Sequence, residues 1–225
     1  MTNLATYGRT RDRVEDYFDR TATRTWEALT SDAPVSKIRQ TVREGRDRMR
    51  AVMLSRLPAN LSGARVLDAG CGAGQMTAEL AARGATIVAC DISPRLIDIA
   101  RARLSDDQKK RVTFHAGDML SPELGSFDYV IAMDSLIYYG VPDITSALSK
   151  LASRTEHAVV FTVAPRTPFL MAFWGMGKLF PRSDRSPTMV PHAGTTLARH
   201  LKGDLNTVER VSRGFYISQC LEYQP

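Results

Sequence analysis

Val66-Leu67-Asp68-Ala69-Gly70-Cys71-Gly72-Ala73-Gly74-Gln75 decides the fold class. An apolar run enters a glycine-rich turn, and a helix opens near Gln75. Glycines permit the tight turn and let a ligand approach the backbone closely. The spacing is GxGxG, whereas a dinucleotide fingerprint reads GxGxxG and leaves room for a pyrophosphate at the helix N-terminus. Asp68 stands two residues ahead of the first glycine. A carboxylate there favours a cationic ligand, which places Asp68 near the ammonium end of an amino-acid moiety, through water or backbone. A glycine loop alone is also an ordinary structural turn, so its meaning depends on the residues downstream of it.

Beyond the loop, short apolar runs at Arg65–Leu67, Thr86–Ala89, Val112–His115, Tyr129–Met133 and Ala158–Val163 alternate with Met76–Ala82, Leu96–Leu104 and Ile144–Leu151, which have helical spacing. Strands alternating with helices predict βαβ units and a parallel sheet covered on both faces. Upstream, residues 9–56 read as two helices, with Val14, Tyr17 and Phe18 on the first and Val42, Met49, Val52, Met53 and Leu57 on the second. Ser31-Asp32-Ala33-Pro34 is the turn between them. At the other end, Leu205–Val211 and Phe215–Tyr223 flank Ser212-Arg213-Gly214 as a closing β-hairpin. The chain is α/β with a helical arm before it.

The acids then fall into a pattern. Asp91 ends the second strand, 21 residues after Gly70, where an acid hydrogen-bonds a ribose 2′-OH; a helix N-cap would also use an acid there. Asp118 follows the third strand and suits an adenine amino group, with Met119 against the ring, although a strand-end turn accounts for it too. Asp134 ends the fourth strand. All four acids lie at C-terminal strand ends, where open α/β sheets bind ligands.

Composition narrows the class. The chain has 225 residues, 44% hydrophobic and 24% charged, which is globular usage with length enough for a sizeable core. Three cysteines (Cys71, Cys90, Cys220) lack CxxC spacing and four histidines (His115, His157, His192, His200) lack ligand spacing. Neither a disulfide framework nor a protein-bound metal is expected, and a reducing cytoplasm fits. No signal peptide is read at the N-terminus. The apolar run Phe169 to Gly177 is nine residues, far short of the roughly 20 that span a bilayer. Net charge is +6, with 24 Arg against 6 Lys. Arginine suits carboxylates and phosphates, and scattered arginines weigh against nucleic acid.

The loop, the ribose acid and the adenine acid together resemble the class I S-adenosylmethionine-dependent methyltransferases over residues 62 to about 165. The resemblance implies a Rossmann-like, seven-stranded, mostly parallel sheet with an antiparallel C-terminal hairpin. It also implies S-adenosylmethionine as cofactor, with a site of Asp68, Gly70, Gly72, Gly74, Gln75, Asp91, Ile92, Asp118, Met119, Asp134 and Ser135. A narrower likeness covers nearly the whole chain. Tyr17-Phe18-Asp19 with Trp26, Val42-Arg43-Glu44-Gly45-Arg46, Asp134-Ser135-Leu136-Ile137-Tyr138-Tyr139, Phe180-Pro181-Arg182-Ser183 and Gly214 to Tyr223 resemble the magnesium-protoporphyrin IX O-methyltransferases of (bacterio)chlorophyll synthesis in photosynthetic organisms, in their purple-bacterial form. That family methylates the C13 propionate, with S-adenosylhomocysteine as product and magnesium arriving inside the porphyrin. Its resemblance also implies the magnesium-chelatase large subunit as a hand-off partner and is compatible with peripheral contact with the photosynthetic membrane. Relatives tend to carry His where this sequence has Tyr138, so an essential histidine there does not carry over.

On this reading residues 1–60 are a helical arm or lid, 61–225 the methyltransferase domain, and 164–192 a substrate-binding insertion. The insertion combines Phe169, Phe173 and Trp174 with Arg166, Arg182 and Arg185, an apolar wall with cations that suits a flat macrocycle bearing propionates; an amphipathic helix on the sheet or a membrane surface fits the same residues. Arg43 is the arm's candidate for a carboxylate. Tyr17 and Tyr138 are the catalytic candidates, as orienting groups, since an ionised propionate needs no strong base. A dehydrogenase stays open only if the GxGxG spacing misleads, which a nicotinamide-binding test settles, and three further readings stay open as well. A quinone precursor could replace the porphyrin, and a panel of acceptors separates the two. An RNA acceptor suits the basic charge, but no NPPY-like motif follows the fourth strand. A non-enzymatic binding module leaves the acids without a purpose.

Overall fold

The computed structural model describes residues 3–19, 36–168, 170–171 and 187–225. Helix α1 (Asn3–Tyr17) is followed by α2 (Lys37–Leu54), whose N-cap Ser36 accepts from the Arg39 amide at 3.4 Å. The Ser31–Pro34 turn lies outside the described residues. On α2, Met49, Val52 and Met53 recur at i, i+3 and i+4 and are all buried, which sets this helix against strands rather than solvent. Gly45 interrupts the helix at a propensity cost of about 1 kcal/mol. A Cβ there would stand 2.6 Å from Tyr216 Cδ1, so the glycine lets a ring lie flat on the helix.

After α2 come β1 (Arg65–Ala69), α3 (Gln75–Ala82), β2 (Thr86–Asp91), α4 (Pro94–Arg103), the short α5 (Asp106–Lys109), β3 (Val112–Ala116), β4 (Phe127–Ala132), α6 (Val141–Ala152), β5 (Thr155–Val163), α7 (Gly194–Ala198), β6 (Asp204–Arg213) and β7 (Tyr216–Gln224). The strands form one seven-stranded sheet in the order β3-β2-β1-β4-β5-β7-β6. The first five are mutually parallel; β7 runs antiparallel to both β5 and β6. The α/β expectation holds, and every expected strand is present.

The hairpin differs in detail from its expected form. Pairing continues to Arg213↔Tyr216, so the turn is the two residues Gly214-Phe215 rather than Ser212–Gly214. Gly214 takes φ 57, which a two-residue hairpin turn requires. The later strand, β7, is the inner one, and this the sequence pattern left undetermined.

Alternation along the strands builds two cores. Leu67, Val88, Val130, Val159 and Phe161 face α6, whose Ile144, Leu148 and Leu151 are fully buried. Val66, Ile87, Ile131 and Val160 face the opposite way, toward α2, α3 and α4. The register also aligns the strand tips: Ala69 pairs with Cys90, and Cys90 with His115. Gly70, Asp91 and Ala116 therefore leave the sheet side by side. Among the described residues no helix is long and apolar enough to cross a membrane.

Candidate active site

Over the C-terminal strand ends lies a cavity of about 950 Å³, mouth included, within the ~300–1,000 Å³ usual for small-molecule sites. Its floor is Asp68, the glycine loop and the residues following β2, β3 and β4. Asp91 accepts from the amides of Gly72 at 2.8 Å and Ser93 at 2.9 Å. It thus clamps the glycine loop to the start of α4. The N-cap is Ser93, whose Oγ accepts from the Leu96 amide, so the capping alternative for Asp91 falls away. Ser93 Oγ also donates to Asp19, two residues beyond α1, and Arg95 Nη1 donates to the Asp19 carbonyl at 2.7 Å.

Burial raises both floor acids. Asp68, 1% exposed, is pushed up to about 7 by loss of water; Asp91 adds repulsion, and a 2.6 Å bond from Thr77 Oγ1 offsets part of it. Asp91 is pushed up to about 6 by the same desolvation, opposed by its two amide donors. Two carboxylates whose charge is made costly by burial gain most from a ligand that brings positive charge and donors. Gly70 sits at φ +87, where a Cβ would collide with Ser135. The glycine thus lets Ser135 pack directly on the loop.

Asp118 is held from above. It accepts from Tyr7 Oη at 2.9 Å and from Arg11 Nη1 at 3.3 Å, both on α1, and from the Leu120 amide at 2.9 Å. Tyr7 stacks on Tyr139, with ring centroids 4.8 Å apart. Asp134 has φ 55. Its carboxylate pairs with Arg46 Nη1 at 2.5 Å and accepts from Tyr216 Oη at 3.2 Å and Thr162 Oγ1 at 3.0 Å. Ser135 Oγ donates to the Ala69 carbonyl at 2.7 Å. Tyr138 is half-buried in the wall, and desolvation raises its phenol well above the usual value, so it stays a proton donor.

The structure brings Asp68, Gly70, Gly72, Gln75, Asp91, Ile92, Asp118, Met119, Asp134, Ser135 and Tyr138 to this one cavity. Gly74 stands outside it, as the left-handed N-cap of α3. Tyr17 also stands outside, edge-on to Phe18 with centroids 5.3 Å apart, and Phe18 itself lines the wall. Arg43 lies half-buried on α2, away from the lining. Phe173, Trp174, Arg182 and Arg185 fall outside the described residues. Sequence reasoning missed Tyr7, Arg11, Val14, Arg46 and Arg50, which complete the wall. Tyr7, Arg11, Val14 and Phe18 follow the i, i+4, i+7, i+11 spacing of one helix face, and Arg46 and Arg50 are one turn apart. That stripe was the available signal.

Residues 132–225 match the family described as magnesium-protoporphyrin IX methyltransferase C-terminus, and residues 66–157 match a methyltransferase domain. The chain is 64% identical to the magnesium-protoporphyrin O-methyltransferase of Rhodobacter capsulatus, over 97% of this chain and 98% of that protein. The chain belongs to the magnesium-protoporphyrin O-methyltransferase family. A second family member, the crystal structure of the magnesium protoporphyrin IX methyltransferase of Synechocystis PCC 6803 with bound SAH, superimposes with a TM-score of 0.77 at 27% identity, covering 96% of this chain and all of that one. The family's sheet is therefore the sheet seen here. A ubiquinone biosynthesis O-methyltransferase of Xanthomonas oryzae is 33% identical but reaches 55% of this chain and 54% of its own. The likeness to a quinone enzyme is partial, whereas the likeness to the porphyrin family runs end to end.

Proposed function

We propose that the chain transfers the methyl group of S-adenosylmethionine to the C13 propionate of magnesium-protoporphyrin IX, giving the monomethyl ester and S-adenosylhomocysteine, in (bacterio)chlorophyll synthesis. The observation that carries this is the 64% identity along 97% of the chain, a span that includes the acceptor side as well as the cofactor half. Asp91 is assigned to the ribose hydroxyls, Asp118 with Met119 to adenine, and Asp68 to the neighbourhood of the ammonium. Gly70, Gly72, Gly74, Gln75, Ile92, Asp134 and Ser135 complete that set, with Gly74 acting through the shape of the loop.

S-adenosylmethionine supplies an electrophilic methyl on its sulfonium. A propionate is ionised at pH 7, its ordinary pKa being about 4–5, and so needs no base from the protein. What the chain contributes is alignment, able to supply roughly 7–11 kcal/mol, and exclusion of water. The α1 stripe of Tyr7, Arg11, Val14 and Phe18 shuts the cavity against solvent. Tyr138 orients the acceptor as a donor, with Tyr17 set behind Phe18. Tyr138→Phe is expected to keep kcat within about tenfold of wild type. Total loss of turnover with cofactor affinity intact would overturn the orienting role.

The raised acids also fix a pH dependence. Between pH ~4 and ~7 the folded, ligand-free protein holds protons on Asp68 and Asp91 that the unfolded chain has lost, so their contribution to stability falls as pH rises through that window. A ligand carrying an ammonium binds the ionised acids. The rise in melting temperature produced by S-adenosylhomocysteine is therefore expected to grow from pH 5 to pH 8. A shift independent of pH would remove these acids from the binding site.

Residues 1–60 serve as the arm and 61–225 as the catalytic domain. α2 packs on β6 and β7 as part of the core, which leaves α1 as the moving part of the lid. The 164–192 insertion, with Phe173, Trp174, Arg182 and Arg185, and Arg43 on the arm take the porphyrin. The protein works in the cytoplasm, in peripheral contact with the photosynthetic membrane, and receives substrate from the magnesium-chelatase large subunit. The test is methyl transfer from labelled S-adenosylmethionine to magnesium-protoporphyrin IX, with metal-free protoporphyrin IX in parallel. A monomethyl ester from the metallated porphyrin alone is expected. No ester, while S-adenosylhomocysteine still protects against heat, would keep the methyltransferase and discard the porphyrin.

A further inference from the structure

A second concavity opens where β5 ends and the 164–192 insertion begins. Its lining includes Arg166, His192, Thr195, Thr207, Arg210 and Gln219, and no acidic residue. The Arg210 guanidinium donates Nε at 3.3 Å and Nη2 at 3.0 Å to Gln219 Oε1, a neutral acceptor. Gln219 Nε2 donates onward to Thr207 Oγ1 at 3.5 Å. Among the described residues neither the Arg166 nor the Arg210 guanidinium has a carboxylate partner. Other arginines divide between carboxylates, as Arg46 with Asp134, Arg48 with Glu209, Arg56 with Glu222 and Arg213 with Glu44, and backbone carbonyls, as Arg83 and Arg154. Two guanidiniums without a carboxylate partner among the described residues line one hollow, with two threonine hydroxyls in the same lining, the chemistry of a carboxylate site.

A hydrogen bond links the lining of the hollow to the wall of the cofactor cavity. The Arg166 amide donates to the His192 carbonyl at 3.0 Å, pinning the start of the insertion to its end. Burial depresses the pKa of His192, and its Nε2 lies 2.8 Å from the Tyr139 carbonyl, to which it donates as a neutral ring. Tyr139 is itself a wall residue of the cofactor cavity. The pair His192 and Tyr139 therefore runs from one lining to the other.

We propose that Arg166 and Arg210 form a second carboxylate subsite that holds the propionate of the porphyrin that is not methylated. The inference rests on the porphyrin reading of the function. Electrostatics separate the two carboxylates. The reacting one loses its charge on becoming an ester, and a tight cation on it would blunt its attack. The other propionate keeps its charge throughout, and a planar guanidinium fork suits a carboxylate whose charge does not change. Arginine stays protonated at any working pH. Holding one propionate in the hollow sets which of the two reaches the methyl group, so the pair determines regiochemistry as well as affinity.

The test is steady-state kinetics on wild type, Arg166→Gln and Arg210→Gln with two substrates: magnesium-protoporphyrin IX and its analogue with the non-reacting propionate as an amide. Both arginines are exposed, and an unchanged melting-temperature response to S-adenosylhomocysteine checks that each variant is folded. For the diacid, each variant is expected to raise KM about tenfold, the worth of one charged hydrogen-bond partner, with kcat and the KM for S-adenosylmethionine unchanged. For the amide, wild type starts with the raised KM and the variants add less than twofold. An equal rise on both substrates, or none on the diacid, overturns the subsite. A wild type inert toward both porphyrins overturns the functional reading first, and the subsite with it.

Discussion

Asp91→Ala is expected to lower kcat/KM by at least about 100-fold, almost entirely through S-adenosylmethionine, and to abolish protection by S-adenosylhomocysteine against heat. The side chain has two tasks that alanine loses together. It satisfies the Gly72 and Ser93 amides, at 2.8 and 2.9 Å, and each buried amide left without an acceptor costs about 1–3 kcal/mol. It also faces the cavity as the candidate acceptor for two ribose hydroxyls, each charged bond being worth about 1.5–3 kcal/mol. The stability loss without ligand should be the smaller effect, because burial already raises this carboxyl to about 6 and so makes its charge costly. Asparagine is not a rescue: its oxygen can serve one amide, but its NH2 then faces the other N–H. The discriminating measurement is thermal unfolding with and without S-adenosylhomocysteine. An Asp91→Ala protein protected as well as wild type would remove this residue from the cofactor site.

The cofactor half was legible because its chemistry is local. In Val66–Gln75 the strand, the three glycines and the acid lie within ten residues, and the strand-tip acids follow at spacings set by one βα unit. Register then does the rest, lining up Ala69, Cys90 and His115. The wall was legible only as helix periodicity, since nothing in Tyr7, Arg11, Val14 and Phe18 announces what that face covers. Tyr17 drew notice as an aromatic beside Phe18, yet one position along a helix is a turn of 100°, and Phe18 is the residue on the cavity side. The placement of β7 between β5 and β6 depends on pairing across 60 residues of chain, which no local pattern encodes. The charge cluster around Asp134 escaped for the same reason: its partners come from α2, β5 and β7.

That cluster carries the largest expected loss of stability. Arg46→Ala is expected to destabilise the protein by about 3 kcal/mol, the lower end of what breaking a buried ion pair costs, and so to lower the melting temperature by roughly 6–12 °C for a chain of this size. The Arg46 and Asp134 side chains are 13% and 9% exposed. Without the guanidinium, the Asp134 carboxylate is left in a nearly dry site with the hydroxyls Tyr216 Oη, Thr162 Oγ1 and Ser218 Oγ close at hand. Its backbone cannot swing away, because at φ 55 its amide is held by Thr162 Oγ1 at 2.7 Å. The penalty is thus an orphaned charge more than a lost attraction, and that distinction can be measured. Asp134→Asn in the Arg46→Ala background removes the charge while keeping the shape. The double variant is expected to regain at least 1 kcal/mol over Arg46→Ala alone, a coupling in the range found for residues in contact. Losses that simply add would show that the pair acts through packing of α2 on β7. Because Asp134 and Ser135 both line the cavity, the same cycle read in kcat/KM tells whether the pair also sets the position of the cofactor site: the double variant should recover stability without recovering turnover.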